Sequence, residues 1–161
     1  MSIQITRAIR LYDEARAAEN QRDINRAEVL YVESKEIFMQ EGGEHLVAAA
    51  NIMNAIALMK VKHADYDGAL RAAEKSVQIM GNHVGETPNR KVDEIRLRSW
   101  IIIGNIHRHL MHYDRAEQML QRALDHALNV FGAADEQTTS IFNQLAMLYK
   151  QMGKLETVER F

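Results

Sequence analysis

The histidines of the segment HRHLMH are the residues whose type most suggests chemistry. His107, His109 and His112 offer imidazole nitrogens, but a structural zinc site needs four ligands and the chain has no cysteine. On a helix, residues two apart point about 200° apart, so His107 and His109 cannot share an ion. Only His109 and His112 lie on one side. We therefore expect no metal site and no cofactor.

The other reactive side chains form no catalytic pattern. Asp13 with Glu14 and Asp135 with Glu136 are sequence neighbours, which favours solvation or the positive end of a helix dipole. Ser99 lacks the strand-turn-helix elbow of a nucleophilic serine, and no glycine-rich phosphate loop is present. We therefore expect no enzymatic activity.

Composition limits the class of protein further. The 161 residues are 47% hydrophobic, enough for one domain with a continuous core, and one proline with eight glycines favours helices. A net charge of −2 argues against nucleic acid as the main partner. No segment resembles a signal peptide or approaches the roughly 20 apolar residues of a membrane span. With no cysteine to form disulfides, we expect a cytoplasmic protein without a membrane partner.

Small residues recur along the chain with spacings of 42, 47 and 42 residues. Three separate positions keep this phase, which predicts repeated pairs of helices. The position that opens each second helix is held by Ala27, Ala69, Ala116 and Val158. The small position of each first helix is held by Ala15, Ala57, Gly104 and Ala146, and a third position by Ser34, Ser76 and Ala123.

The spacing predicts four repeats, at about residues 3–40, 44–81, 89–131 and 134–161, the last of them incomplete. Turns are expected at residues 20–23 and 63–65, and Gly42, Gly43 and Gly132 are expected to end helices. The segment GNHVGETP at residues 81–88 has clear turn composition.

The third repeat carries a recognisable order of aromatic, glycine and alanine positions. These are Trp100, Gly104, Tyr113, Ala116, Leu120 and Ala123. The order resembles the tetratricopeptide repeat. The resemblance implies an all-α fold, a right-handed superhelical solenoid of antiparallel helix hairpins with about seven full helices and a short eighth, in a single domain over residues 1–161.

The fourth repeat resembles the long-repeat subgroup typified by kinesin light chain. The matching residues are Asn143, Gln144, Leu145, Ala146 and Tyr149, followed by Gly153 and Lys154.

The family resemblance implies a protein or peptide partner, bound on the concave face that the first helices line. The expected peptide-binding residues are Tyr12, Arg16, Asn51, Asn54, Lys62, Arg98, Asn105, Arg108, Asn143, Met147 and Lys150. Asparagine amides suit a peptide backbone, and arginine suits carboxylates. We therefore expect an extended peptide that is acidic or ends in a free carboxylate. The alternative is that these are ordinary solvated side chains.

The incomplete fourth repeat predicts a second type of interaction. Its closing helix is expected to be too short to cover the apolar side formed by Phe142, Leu145 and Leu148. Exposed apolar patches usually mark contacts, so a homo-oligomer formed through this end is a second hypothesis. The alternative is a frayed end, left where residues beyond this sequence have been removed.

Overall fold

The computed structural model describes the backbone of residues 2–82 and 89–160, and the side chains of residues 2–81 and 89–153. Within these ranges, all regular structure is helical, which confirms the all-α prediction. The helices are α1 Ile3–Asn20, α2 Ile24–Glu41, α3 His45–Lys62, α4 Tyr66–Asn82, α5 Arg90–His109, α6 Tyr113–Val130 and α7 Glu136–Arg160. In the part of the chain so described, no helix is both long and apolar enough to cross a membrane. Residues 83–88 of the predicted turn segment lie outside it.

Three hairpin turns join α1 to α2, α3 to α4 and α5 to α6. One residue in each turn has a left-handed backbone; these residues are Arg22, Ala64 and Met111, with φ of 64°, 59° and 62°. The next residue of each turn donates its N–H to a carbonyl five positions earlier, as in a Schellman motif. The same geometry therefore recurs at spacings of 42 and 47 residues, which confirms the predicted repeat at the level of the backbone.

Aspartate side chains cap the second helix of the first two hairpins. The carboxylate of Asp23 accepts from the N–H of Arg26 at 3.2 Å, and that of Asp65 accepts from the N–H of Gly68 at 3.0 Å. The Gly68 N–H, assisted by the nearby Lys60 ammonium, lowers the pKa of Asp65 below its ordinary value. His112 holds the equivalent position before α6 and makes no side-chain cap bond.

The contacts divide the chain into two compact units, Met1–Arg96 and Leu97–Phe161. In the first unit, α1 packs against α2, α2 against α3, and α3 against α4. The buried hydroxyl of Ser34 donates to the carbonyl of Ala8 at 2.7 Å, and that of Ser76 donates to the carbonyl of Ala50 at 2.9 Å. The donor and the acceptor in the second hairpin each lie 42 residues after those in the first. Each of these two hairpins therefore contains the same hydrogen bond between its own helices.

In the second unit, a close approach of α6 explains the small repeat position held by Gly104. A Cβ atom at Gly104 would lie 2.9 Å from Cγ of Leu120, which leaves no room for a side chain. Ala116 and Ala123 on α6 are fully buried, as the repeat pattern predicts. Small residues thus allow α5 and α6 to pack at short range.

Helix α7 corrects one prediction about the fourth repeat. The sequence predicts a short eighth helix after the seventh, but α7 continues without interruption from Glu136 to Arg160. Glycine costs only about 1 kcal/mol in a helix interior, and its neighbours here are good helix formers. A separate stub of a few residues would instead bear the full cost of nucleation.

The exposure of α7 corrects a second prediction. Leu145 and Leu148 are 4% and 0% exposed, so they are covered rather than open. They share one side of α7 with the buried Ile141, and α7 packs against α6. Phe142 is 45% exposed, as expected, and Ala146 is exposed as well. The equivalent small residues of the earlier repeats are buried because a second helix folds back over them.

Candidate functional site

In the first unit, three residues of the predicted binding surface, Tyr12, Arg16 and Lys62, lie in one connected group with Glu19. The guanidinium of Arg16 lies 5.9 Å from the ring centroid of Tyr12, one helical turn away on α1. On the same helix, Glu19 forms a long ion pair of 3.8 Å with Lys62 of α3. The Lys62 side chain remains 71% exposed, so this pair contributes little to stability and leaves the ammonium available.

Tyr31 supports this group from α2. Its hydroxyl donates to a carboxylate oxygen of Glu19 at 2.8 Å, and its ring packs on Tyr12 with centroids 5.8 Å apart. Burial, together with the hydrogen bond to Glu19, raises the pKa of Tyr31 above its ordinary value. The hydrogen bond from the phenol thus holds Glu19 in place beside Lys62.

A cavity of about 130 Å³ opens beside this group. Its lining residues are Ile9, Tyr12, Phe38, Ala48, Asn51, Ile52 and Lys91. Two of the predicted residues, Tyr12 and Asn51, therefore share one concave site. Phe38 and Ile52 are buried side chains of the lining, whereas Ile9 and Lys91 are exposed, so the cavity opens toward solvent at the latter pair.

Asn54 does not belong to the binding surface, which corrects the prediction. It is only 1% exposed, and its amide donates to the backbone carbonyl of Ile95 at 3.3 Å. The amide thus joins α3 to the first turns of α5. Residue spacing placed Asn54 on the same stripe as Asn51, but the packing of α5 over this position decides its burial.

In the second unit, Arg108 and Met147 lie together. A guanidinium nitrogen of Arg108 is 3.4 Å from the sulfur of Met147, which is a weak acceptor. Asn105, one turn before Arg108, is partly buried and its side-chain oxygen is enclosed. Neither this oxygen nor Nε of Arg108 has a hydrogen-bond partner within the described residues. A buried acceptor and a buried donor, each without a partner among the described residues, are therefore one helical turn apart.

The remaining predicted residues of the second unit lie at its surface. Arg98 is exposed on α5, and Asn143 and Lys150 are exposed on α7. Their accessibility agrees with the prediction, while their contact with a ligand stays a prediction.

Sequence reasoning missed four residues of the cavity, namely Phe38, Ala48, Ile52 and Lys91. Lys91 lies seven residues before Arg98, so the same helical stripe, continued two turns toward the N-terminus, would have included it. Phe38 and Ala48 carry no comparable signal. A buried aromatic on a second helix and an alanine on a first helix are both typical core residues.

The histidine cluster differs from the expected arrangement. The rings of His107 and His112 lie 5.7 Å apart, whereas His109 and His112 were expected to share a side. Helical spacing does not apply across the turn, because α5 ends at His109 and the left-handed Met111 redirects the chain. Among the described residues, no three histidine or acidic side chains group as metal ligands.

Comparison with known proteins adds three findings. A family model of the tetratricopeptide repeat matches residues 96–161. The N-terminal domain of stress-induced protein-1 (STI-1) from C. elegans is similar in structure, with a TM-score of 0.66 and 16% identity, covering 92% of this chain and 99% of that one. BtubC (BKLC) from P. vanneervenii has a TM-score of 0.73 and 19% identity, covering 92% of this chain and 65% of that one.

At these identities, the two structures establish likeness of fold alone. No protein of curated function matches the sequence. The family model nevertheless covers the stretch in which the aromatic, glycine and alanine order is found, and the same turn geometry recurs in three hairpins. On this evidence, residues 96–161 match the tetratricopeptide repeat, and the chain has the fold of the two similar structures.

Proposed function

We propose that this protein is a non-enzymatic cytoplasmic scaffold that binds an extended, acidic peptide on the surface of its first helices. The family supports the general role, since its members bind proteins or peptides. The observation that carries the proposal is the concave site in the first unit, where Tyr12 and Asn51 line one cavity. Neither nucleic acid nor a membrane is part of the proposal.

Charge supports an acidic ligand. Arg16, Lys62 and Lys91 present cations around the site of the first unit, with Glu19 held by Tyr31 and Lys62. In the second unit, Arg98 is exposed, and Arg108 accompanies the enclosed oxygen of Asn105. Guanidinium groups bind carboxylates through paired hydrogen bonds, and a neighbouring amide can bind the peptide backbone.

Reversal of two charges tests this proposal. The probe is a fluorescein-labelled peptide with blocked ends, in which one leucine stands between two pairs of glutamates. We expect the double variant R98E/R108E to bind this peptide at least about tenfold more weakly than the natural protein, because two favourable charge contacts become repulsive. Fluorescence anisotropy at low and at moderate salt measures the dissociation constant.

The matched control is R26E/R115E, which changes the net charge equally. Both arginines are exposed in the first turn of a second helix, where glutamate is compatible with the helix dipole. This control should retain the affinity of the natural protein. Equal affinity of R98E/R108E and the natural protein would refute the assignment of these arginines to the binding surface.

An alternative function is self-association through α7. The observation that favours it is the exposed stripe of Phe142, Ala146 and Tyr149, spaced by four and three residues along one side of the helix. Trp100 and Gly104 hold the equivalent positions on α5, and there they are buried. A second copy that covers this stripe would complete the fourth repeat.

Multi-angle light scattering over a concentration series tests the alternative. Self-association predicts a mass that rises toward two chains in the micromolar range, and the variant F142S/Y149S should remain at one chain because it removes most of the apolar stripe. A mass of one chain at high micromolar concentration would exclude the alternative and leave peptide binding as the function.

A further inference from the structure

We infer that the cavity of the first unit holds one apolar side chain of the bound peptide, and that Lys91 at its mouth selects an acidic residue beside this anchor. The inference rests on the proposed function and deepens it, because it names the kind of peptide that the site accepts. An apolar anchor with acidic neighbours is a narrower ligand class than an acidic peptide.

The size of the cavity fits a side chain. Its volume is about 130 Å³. A single water occupies about 30 Å³ of liquid, and an engineered apolar cavity of about 150 Å³ binds benzene. The space thus matches a leucine, methionine or phenylalanine side chain. Isolated waters would find few partners here, because most of the lining is apolar.

The lining explains why the anchor is apolar. Phe38 and Ile52 are almost completely buried, and Ile9 and Tyr12 provide further carbon surface around the opening. Position 48 of α3 also lines the cavity and carries alanine, whose methyl group fills little space. Burial of carbon against this lining gives favourable free energy in proportion to the area removed from water.

Polar groups of the lining determine which peptide residues are favoured next to the anchor. Asn51 offers an amide, and Lys91 offers an ammonium. Lys91 also lines a neighbouring depression that contains Glu44 and His45. The Glu44 carboxylate repels an acidic ligand, whereas the Lys91 ammonium attracts one. Neutralising Glu44 and neutralising Lys91 should therefore change the affinity in opposite directions.

Two peptides with blocked ends test the inference. The first is the peptide with one leucine between two pairs of glutamates, and the second has alanine in place of the leucine. We expect the natural protein to bind the leucine peptide about tenfold more tightly, because the alanine peptide leaves much of the cavity unfilled.

The variant A48L fills the cavity from the protein side. It should bind the leucine peptide only as well as the alanine peptide, and its affinity for the alanine peptide should stay within about twofold. The matched control is A17L, which adds the same side chain at an exposed position of α1 outside the cavity. A17L should keep the full preference for leucine.

Charge variants test the role of Lys91 separately. K91Q should weaken binding of the leucine peptide by about threefold to tenfold, and E44Q should strengthen it. Both effects should fall as salt is raised, because the two side chains are exposed to solvent. No change in either variant would contradict the selection of an acidic neighbour.

A measurement on the natural protein avoids any dependence on the folding of A48L. With methyl-labelled isoleucine and alanine, the leucine peptide should shift the NMR signals of Ile9, Ala48 and Ile52 more than the alanine peptide does. Equal affinity for the two peptides, or shifts that spare these methyl groups, would overturn the inference while the proposed function stands. If neither peptide binds, the proposed function itself is wrong.

Discussion

At the scale of single residues, the hairpin turns are the sites where the chain departs from its preferred conformation. Arg22, Ala64 and Met111 have positive φ, a region that residues other than glycine and asparagine rarely adopt. Glycine usually holds this position after a helix. The three turns are therefore positions where side-chain identity works against local stability.

Substitution of Met111 by glycine should stabilise the protein. A left-handed conformation costs an L-residue about 1–2 kcal/mol, and the greater entropy of unfolded glycine offsets part of the gain. The Met111 side chain is 73% exposed, so little packing is lost. We expect the free energy of unfolding to rise by about 0.5–1 kcal/mol in urea denaturation.

The control for this prediction is M111A, which removes the same side chain but keeps a Cβ atom. It should leave stability nearly unchanged. If M111G is no more stable than M111A, the left-handed backbone at this turn has no measurable cost and the explanation fails.

At the scale of helices, the hairpins share one packing arrangement but differ in how side-chain volume is divided between their two helices. In the third hairpin, Gly104 faces Leu120 at close range. The residues 47 positions earlier are Ala57 and Ala73, and both are fully buried. The second hairpin thus has alanine on both helices, whereas the third has glycine on one helix and leucine on the other.

This exchange predicts that substitutions at Gly104 and Leu120 are coupled. G104A should be destabilising by up to about 2 kcal/mol, because overpacking exceeds the gain in helix propensity. L120A should cost about 2–5 kcal/mol through the cavity it leaves. The double variant recreates the alanine pair of the second hairpin, so its loss should be smaller than the sum by at least about 1 kcal/mol.

Denaturant unfolding of the four proteins measures this coupling as a double-mutant cycle. Strict additivity would mean that the Cβ atom at residue 104 does not compete with Leu120 for space. In that case the short distance between α5 and α6 would have another cause.

At the scale of the whole molecule, stability in repeat proteins is the sum of terms within repeats and between neighbours. The two compact units, Met1–Arg96 and Leu97–Phe161, share helix α5 along the chain. The sequence predicts one domain, so the units should unfold together when both are intact. A strong local defect in one unit should separate their transitions.

The only tryptophan of the chain, Trp100, reports on the second unit, whereas far-UV circular dichroism reports on all helices. In the natural protein, we expect the two signals to change at the same urea concentration. In L120A, the Trp100 signal should change at a lower concentration than the circular dichroism. Transitions that stay coincident in L120A would show that the whole chain is one cooperative unit, even with a defect in its core.

The sequence by itself determined the features that depend on neighbours along the chain. Helix starts, turns and capping positions follow from residues within a few positions, and the repeat spacing placed Ala15, Ala57 and Gly104 in the core. Exposure of Met147 also follows from helical periodicity. These features depend on residue types and their spacing along the chain, so the amino-acid sequence is enough to predict them.

Only the tertiary structure decided the features that depend on distant residues. Asn54 is buried because the backbone at Ile95 lies over it, and His107 meets His112 because the turn redirects the chain. The cavity beside Tyr12 exists because α1, α2, α3 and the start of α5 converge around the small side chain of Ala48. Such spaces depend on which side chains from separate helices meet, and residue spacing within one helix carries no information about that.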